Sequence, residues 1–247
     1  MSRSWNVYLC GALAVAAGAL VADEPKPRER PKYETRAKHD RDGIGKFYFG
    51  REIAQVMGYG GASWLDRPER VKEEEPAKLL EALAVKPGMV VADVGAGSGY
   101  HVFLLAPLVG DKGKVIASDI QQEMLDLIAE RAKEKKVANV ATVKGTPTDP
   151  KLPAGTVDLI LMVDVYHEFA HPFEMTEKMV AALAPGGRLV FVEFRLEDEK
   201  VPIKLVHKMS ERQVMKEMEP FPEMVHTKTA TSLPWQHVVV FTKQAKK

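Results

Sequence analysis

The stretch Asp93-Val94-Gly95-Ala96-Gly97-Ser98-Gly99 directly follows the apolar run Met89-Val90-Val91-Ala92. A strand, a glycine turn and a helix in that order open a nucleotide-sized site in an α/β domain. Glycine has no Cβ, so a ligand can approach the backbone of Gly95, Gly97 and Gly99 closely, and the turn can take positive φ. Asp119 comes 20 residues after Gly99, at the end of the next apolar run. A carboxylate there can accept hydrogen bonds from both hydroxyls of a ribose. The other reading of Asp119 is a cap for the helix beginning near Gln121. A dinucleotide fingerprint, G-x-G-x-x-G, needs a glycine at position 100, where this chain has Tyr100.

A second chemistry-bearing stretch is Asp164-Val165-Tyr166-His167-Glu168-Phe169-Ala170-His171. It contains His-Glu-x-x-His, which on a helix puts two histidines on one face to bind zinc, with the glutamate as general base. Its context opposes that reading. An apolar strand, Val157–Val163, ends just before it, and Pro172 follows His171, where a helix interior tolerates proline poorly. No metal ligand is therefore expected, and His171 is expected to be structural.

These residues need a scaffold, and the pattern supplies one. Strands are predicted at Val90–Val94, Lys114–Ser118, Val140–Val143, Val157–Val163 and Arg188–Phe194. Helices are predicted between them at Tyr100–Val109, Gln121–Lys136 and Phe173–Leu183, the last stopped by Pro185-Gly186-Gly187. Strands alternating with helices imply parallel βαβ units. A helix at Ser210–Glu219 precedes two closing strands, near Met224–Thr229 and Gln236–Thr242, which read as an antiparallel hairpin. The expected fold is α/β, with a Rossmann-like seven-stranded, mostly parallel sheet and helices on both faces.

The chain reads as four parts. Residues 1–22 resemble an export signal or anchor: Arg3 precedes an uncharged run from Val7 to Ala22, with small-residue cleavage sites near its end. Membrane attachment through residues 7–22 would make the protein exported to the periplasm or membrane-anchored. The cationic flank from Lys26 to Lys38 favours a cytosol-facing domain as the alternative. Residues 23–42 are proline-rich and charged, a linker composition. Residues 43–75 open with Phe47, Tyr48, Phe49, Tyr59 and Trp64, which is aromatic enough for a packed lid whose rings, Tyr48 among them, line a substrate cavity. Residues 76–247 form the main domain. A net charge of +1 implies no nucleic-acid partner. Cys10 is the single cysteine, so the remainder has no disulfide and no thiolate nucleophile.

Asp93 to Gly99, Asp119 and the turn Ala184-Pro185-Gly186-Gly187-Arg188 occur in the order seen in class I S-adenosylmethionine (SAM) methyltransferases, which residues 76–247 resemble. The resemblance implies an enzyme that transfers a methyl group from SAM to a small-molecule acceptor by in-line displacement. It implies that Asp93, Gly95, Gly97 and Gly99 surround the methionine part of SAM, and that Asp119 and Ile120 hold the ribose and adenine edge. Thr146 stands where many relatives use an acidic residue against adenine, with Asp149 three residues on. The loop after the fourth strand abuts the reactive methyl in the family. Asp164 is then a cofactor contact, and His167 or Glu168 positions or deprotonates the acceptor, unless His167 only packs on the cofactor. His207 and Lys208 lie after the fifth strand, near the family's acceptor pocket, and could bind a polar or acidic acceptor. An NAD-dependent oxidoreductase and a non-catalytic cofactor-binding protein are the alternatives.

Overall fold

The computed structural model describes Met1, Arg28 and residues 30–245. The signal or anchor expected at residues 1–22, including the apolar run at 7–22 and Cys10, lies outside the described residues apart from Met1. Among the described residues no helix is long and apolar enough to cross a membrane.

The N-terminal part forms a small antiparallel sheet of β1 (Glu34–Thr35), β2 (Gly43–Tyr48) and β3 (Arg51–Ala54). Three short helices follow: α1 (Ala62–Leu65), α2 (Arg70–Glu74) and α3 (Pro76–Leu83). Glu75 takes φ +46 between α2 and α3, and Pro76 occupies the first helical position of α3, where its missing N–H costs nothing.

The main sheet alternates as the sequence predicts. In chain order it comprises β4 (Val90–Val94), α4 (Tyr100–Val109), β5 (Lys114–Asp119), α5 (Gln122–Glu134), β6 (Val140–Lys144) and β7 (Val157–Val163). There follow α6 (Pro172–Ala182), β8 (Leu183–Phe194), α7 (Glu211–Met218), β9 (Met224–Ala230) and β10 (Gln236–Lys243). The seven strands lie in the order β6-β5-β4-β7-β8-β10-β9, parallel except for β10, which is antiparallel to both neighbours. This is the expected Rossmann-like fold with its closing hairpin.

Alternate strand residues feed two apolar layers, as the period of two requires. Ala92, Ile116, Ile160, Met162 and Phe191 pack with Phe173 and Met179 of α6 on one face. Val91, Val115, Leu159, Leu161 and Val190 pack with Val102 and Leu105 of α4 on the other. One element differs from the sequence pattern. The helix predicted through Leu183 stops at Ala182, and Leu183 already pairs with Val157. Pro185, Gly186 and Gly187 therefore form an irregularity inside β8, where the register with β7 shifts, and they do not cap a helix. Sheet pairing of Leu183 outcompetes local helix propensity.

From β4 the chain winds outward through β5 and β6, then returns to β7 on the other side of β4. That reversal is a topological switch point, and open α/β sheets bind ligands outside the carboxyl ends of the strands there. The ends in question are Val94 of β4 and Val163 of β7.

Candidate active site

A cavity of about 740 Å3 opens at that point, within the range of roughly 300–1,000 Å3 usual for ligand sites. Its walls come from several parts of the chain. The turn after β4 supplies Gly95 and Gly97, and the end of β5 supplies Asp119 and Ile120. The loop after β7 supplies Asp164, His167 and Glu168, and the segment after β8 supplies Ile203 and His207. The N-terminal part closes the cavity with Met57, Trp64, Leu65 and Arg70.

The turn after β4 is tight, and the missing Cβ atoms of Gly95 and Gly97 make room for Val165 and Leu65, which also line the cavity. Gly95 and Gly97 have φ of +75 and +52, in the region that a side chain disfavours. Asp119 fixes this turn. Its Oδ2 accepts from the Gly97 N–H at 2.9 Å, and its Oδ1 accepts from the Gln121 N–H at 2.9 Å. Asp119 is not the cap of α5, whose N-cap is Gln121 with no side-chain cap bond; it ties down Gln121 and borders the cavity. Burial pushes its carboxyl above the ordinary range, and the backbone N–H groups of Gln121 and Gly97 oppose that rise.

Asp93 is buried behind this wall, and burial raises its carboxyl to about 7, against the pull of the Arg70 guanidinium. It does not line the cavity itself, and neither does Gly99, whose missing Cβ makes room for Ile128 of α5. Thr146 and Ile120 do line it. Asp164 holds φ +50, and its Oδ2 accepts from the Gln236 side chain at 2.7 Å. Asp164 Oδ1 is buried with no partner. Burial, with Glu74 and Glu193 adding negative charge, drives its carboxyl well above the ordinary range.

On the opposite side, residues 166–168 form a single 3-10 turn. The zinc-protease geometry of the His-Glu-x-x-His motif is therefore absent. His171 leaves the group: its Nδ1 lies 3.3 Å from Lys46 Nζ. His167 is 1% exposed and its Nδ1 lies 2.6 Å from Glu193 Oε2. Glu193 is fully buried, and its other oxygen accepts from the Tyr166 N–H at 3.0 Å. A carboxylate held this way accepts a hydrogen bond from His167 Nδ1–H, which leaves the unprotonated Nε2 on the cavity side. That Nε2 is 3.2 Å from His207 Nδ1, which in turn is 3.8 Å from Glu168 Oε1. Burial raises Glu168 to about 7, and burial together with the nearby His167 lowers His207 to about 4.

Two expected substrate residues are elsewhere. Tyr48 is fully buried and packs on Tyr33 and Phe49, because β2 turns its ring into the core. Lys208 follows His207 by one residue, but its Nζ donates to the Asp198 carbonyl away from the cavity. Glu193 and Arg70 have no role in the sequence reading, whereas the 55–66 segment falls within the part read there as a lid. Glu193 left a usable signal, as the one charge in the run Leu189–Phe194. Residues 55–66 bridge both sides of the site. The Gln121 side chain donates to the Met57 carbonyl at 3.0 Å, and the Met57 N–H donates to Glu168 Oε2 at 3.3 Å. Asp66 accepts from Ser98 and from Arg131 at 2.8 and 2.7 Å.

A sheet of this order, with a glycine turn after its first parallel strand and a carboxylate ending the second, defines the class I SAM-dependent methyltransferases. The comparisons agree. A family model described as "Methyltransferase domain" matches residues 85–244, and the chain belongs to that family. The ubiquinone/menaquinone biosynthesis C-methyltransferase UbiE of Shewanella sediminis is 30% identical over 127 residues, 51% of each chain. The same enzyme of Ectopseudomonas mendocina is 31% identical over 116 residues, covering 47% of this chain and 45% of its own. The chain thus spans about half the length of the curated relatives it matches. A SAM-dependent methyltransferase structure from Aquifex aeolicus superposes with a TM-score of 0.71 at 27% identity, covering 76% of this chain and 100% of that one. The family and the fold are thus those of the class I methyltransferases.

Proposed function

We propose that the acceptor is a small aromatic molecule carrying an ionisable hydroxyl, which docks against His167, Glu168 and His207. The observation that carries this reading is a single cavity bordered by both the Gly95–Gly97 turn and that polar cluster. Between them the wall is apolar, with Val165, Phe169, Phe194 and Ile203. Such a surface accommodates a ring and leaves only its polar substituent to the cluster. The relatives named for ubiquinone and menaquinone biosynthesis fit an acceptor of this kind.

The residues present fit SAM. Gly95 and Gly97 give the cavity wall a tight positive-φ turn, Asp119 borders the cavity with a carboxylate for the ribose hydroxyls, and Asp164 Oδ1 lacks a partner. When bound, SAM supplies an electrophilic sulfonium methyl. The protein's part is then alignment and exclusion of water. The 55–66 segment seals the cavity through its bonds to Gln121 and Glu168. The cluster takes the acceptor's proton, so that the oxygen or the ring carbon beside it becomes a nucleophile. Glu193 acts through His167 by fixing which ring nitrogen faces the acceptor.

The test is methyl transfer from labelled SAM to a panel of phenols and hydroquinones, read by mass spectrometry, with wild type and Glu193→Gln. Methylation by wild type, a clear fall in kcat for the variant and unchanged SAM affinity are expected. A wild type that binds SAM but methylates only protein or nucleic acid would overturn the acceptor assignment.

A further inference from the structure

We propose that His167 Nε2, His207 Nδ1 and a carboxylate oxygen of Glu168 form the binding site of one divalent transition-metal ion, on the acceptor side of the cavity. These three donor atoms lie within 4.8 Å of one another. Metal bonds of about 2.0–2.1 Å at tetrahedral or octahedral angles place neighbouring donor atoms roughly 3.0–3.4 Å apart. The two ring nitrogens, at 3.2 Å, already meet that spacing. Glu168 Oε1 is 3.8 Å from His207 Nδ1. A small rotation of this carboxylate closes the gap, since its other oxygen is held only by the Met57 N–H at 3.3 Å.

The surroundings of His167 are those of a ligand. Metal-bound histidines characteristically donate their other ring N–H to a carboxylate, which fixes the tautomer and raises the basicity of the bound nitrogen. Glu193 does this for His167 at 2.6 Å, and is itself fully buried and held by the Tyr166 N–H. Among the described residues, the hydrogen bonds of the Glu193 carboxylate are to the Tyr166 N–H and to His167 of this turn. The motif His167-Glu168-x-x-His171 is thereby re-used in part. Its first two members stay in the cluster, and His207 takes the place of His171, which lies against Lys46 instead.

The donor set selects the metal. Two imidazoles and one carboxylate suit zinc, iron(II) or cobalt(II) and not magnesium or calcium, which prefer all-oxygen sites. Three protein ligands leave coordination positions open, as catalytic sites do. His207 and Glu168 both line the cavity, so an open position faces the acceptor's side. An acceptor hydroxyl bound there would be oriented and acidified by the ion, and its proton would leave to solvent water, because with metal bound the three donor atoms no longer act as the base. This role rests on the acceptor placement proposed above, whereas the site itself does not.

The experiment uses purified full-length chain, stripped with a chelator and titrated with cobalt(II) as a spectroscopic probe. Visible d–d bands saturating at one equivalent per chain are expected. His207→Ala should weaken cobalt affinity at least tenfold, and Glu193→Gln about 10- to 100-fold, the usual effect of losing such a supporting carboxylate. His171→Ala should leave the titration unchanged. Because His167 is buried and its variants risk misfolding, the half-exposed His207 carries the decisive comparison. Absence of stoichiometric binding, or binding indifferent to His207→Ala, overturns the site. SAM calorimetry on the same samples separates the two proposals. SAM binding and acceptor methylation without cobalt binding sink the metal site alone; cobalt binding without methylation of any small molecule sinks the acceptor reading alone.

Discussion

Replacing Asp119 tests the cofactor site most directly. Each carboxylate oxygen accepts one backbone N–H, from Gly97 and from Gln121, both at 2.9 Å. Each oxygen has a further lone pair, and the residue borders the cavity. Asp119→Asn keeps the shape but presents one N–H2 group where two acceptors were needed, so one backbone donor loses its partner in either orientation. A hydrogen bond to a charged group contributes about 1.5–3 kcal/mol. Losing one ribose hydrogen bond of that size weakens SAM binding about 10- to 150-fold. The assay is calorimetric titration with SAM, paired with urea unfolding to register the loss at Gly97. Asp119→Ala should exceed Asp119→Asn in both measurements, because it abandons both backbone donors. SAM affinity within threefold of wild type in a folded Asp119→Asn protein would refute the ribose assignment.

Two further perturbations probe the same wall. In Gly97→Ala the new Cβ would sit 2.6 Å from Leu65 Cδ1 at a φ of +52. The left-handed strain alone, about 1–2 kcal/mol, should lower Tm by about 2–8 °C, and displacement of Leu65 should weaken SAM binding. An unchanged Tm would show that the turn tolerates a side chain. Asp93 gives a pH signature. Its carboxyl, raised to about 7 by burial, favours the fold when protonated. That contribution is complete below the unfolded-state value near 4 and disappears as pH rises through about 7. Urea unfolding without SAM should therefore show wild type losing stability relative to Asp93→Asn between about pH 4 and 7, and holding level above. A pH-independent difference would refute it.

The cofactor side was legible because its signals are local. A strand, a turn with three glycines and the carboxylate ending the next strand are all set by short-range geometry, and β4, α4 and β5 place them as the pattern demands. The acceptor side was legible only in part. His167 and Glu168 stand in sequence beside a strand end, so their location follows from the fold. Their association with Glu193 and His207 depends on how β8 pairs with β7 and on the path of residues 196–209, which no period encodes. Tyr48 shows the limit of composition: five aromatic residues in a short segment imply packing, but Tyr48 faces the core while Trp64 reaches the cavity. Lys208 shows the limit of adjacency, since a residue one step from a site residue can point to the opposite side of the chain.

The charge on the cavity walls also bears on which cofactor the fold accepts. Asp119, Asp164 and Glu168 line the cavity, and Asp93 lies just behind it. All four have carboxyls raised by burial. An empty site of this kind opposes its own ionisation. A cation entering it relieves that opposition, whereas an anion adds to it. Two unit charges 4 Å apart interact by about 4 kcal/mol at the effective dielectric near a protein surface. SAM brings a sulfonium and an ammonium against one carboxylate, for which the buried Arg70 stands on the same wall. NAD would bring a doubly charged pyrophosphate into the same carboxylates. The carboxyl-rich wall therefore favours a cationic cofactor over an anionic one, a preference that the glycine turn, common to both binding motifs, does not supply.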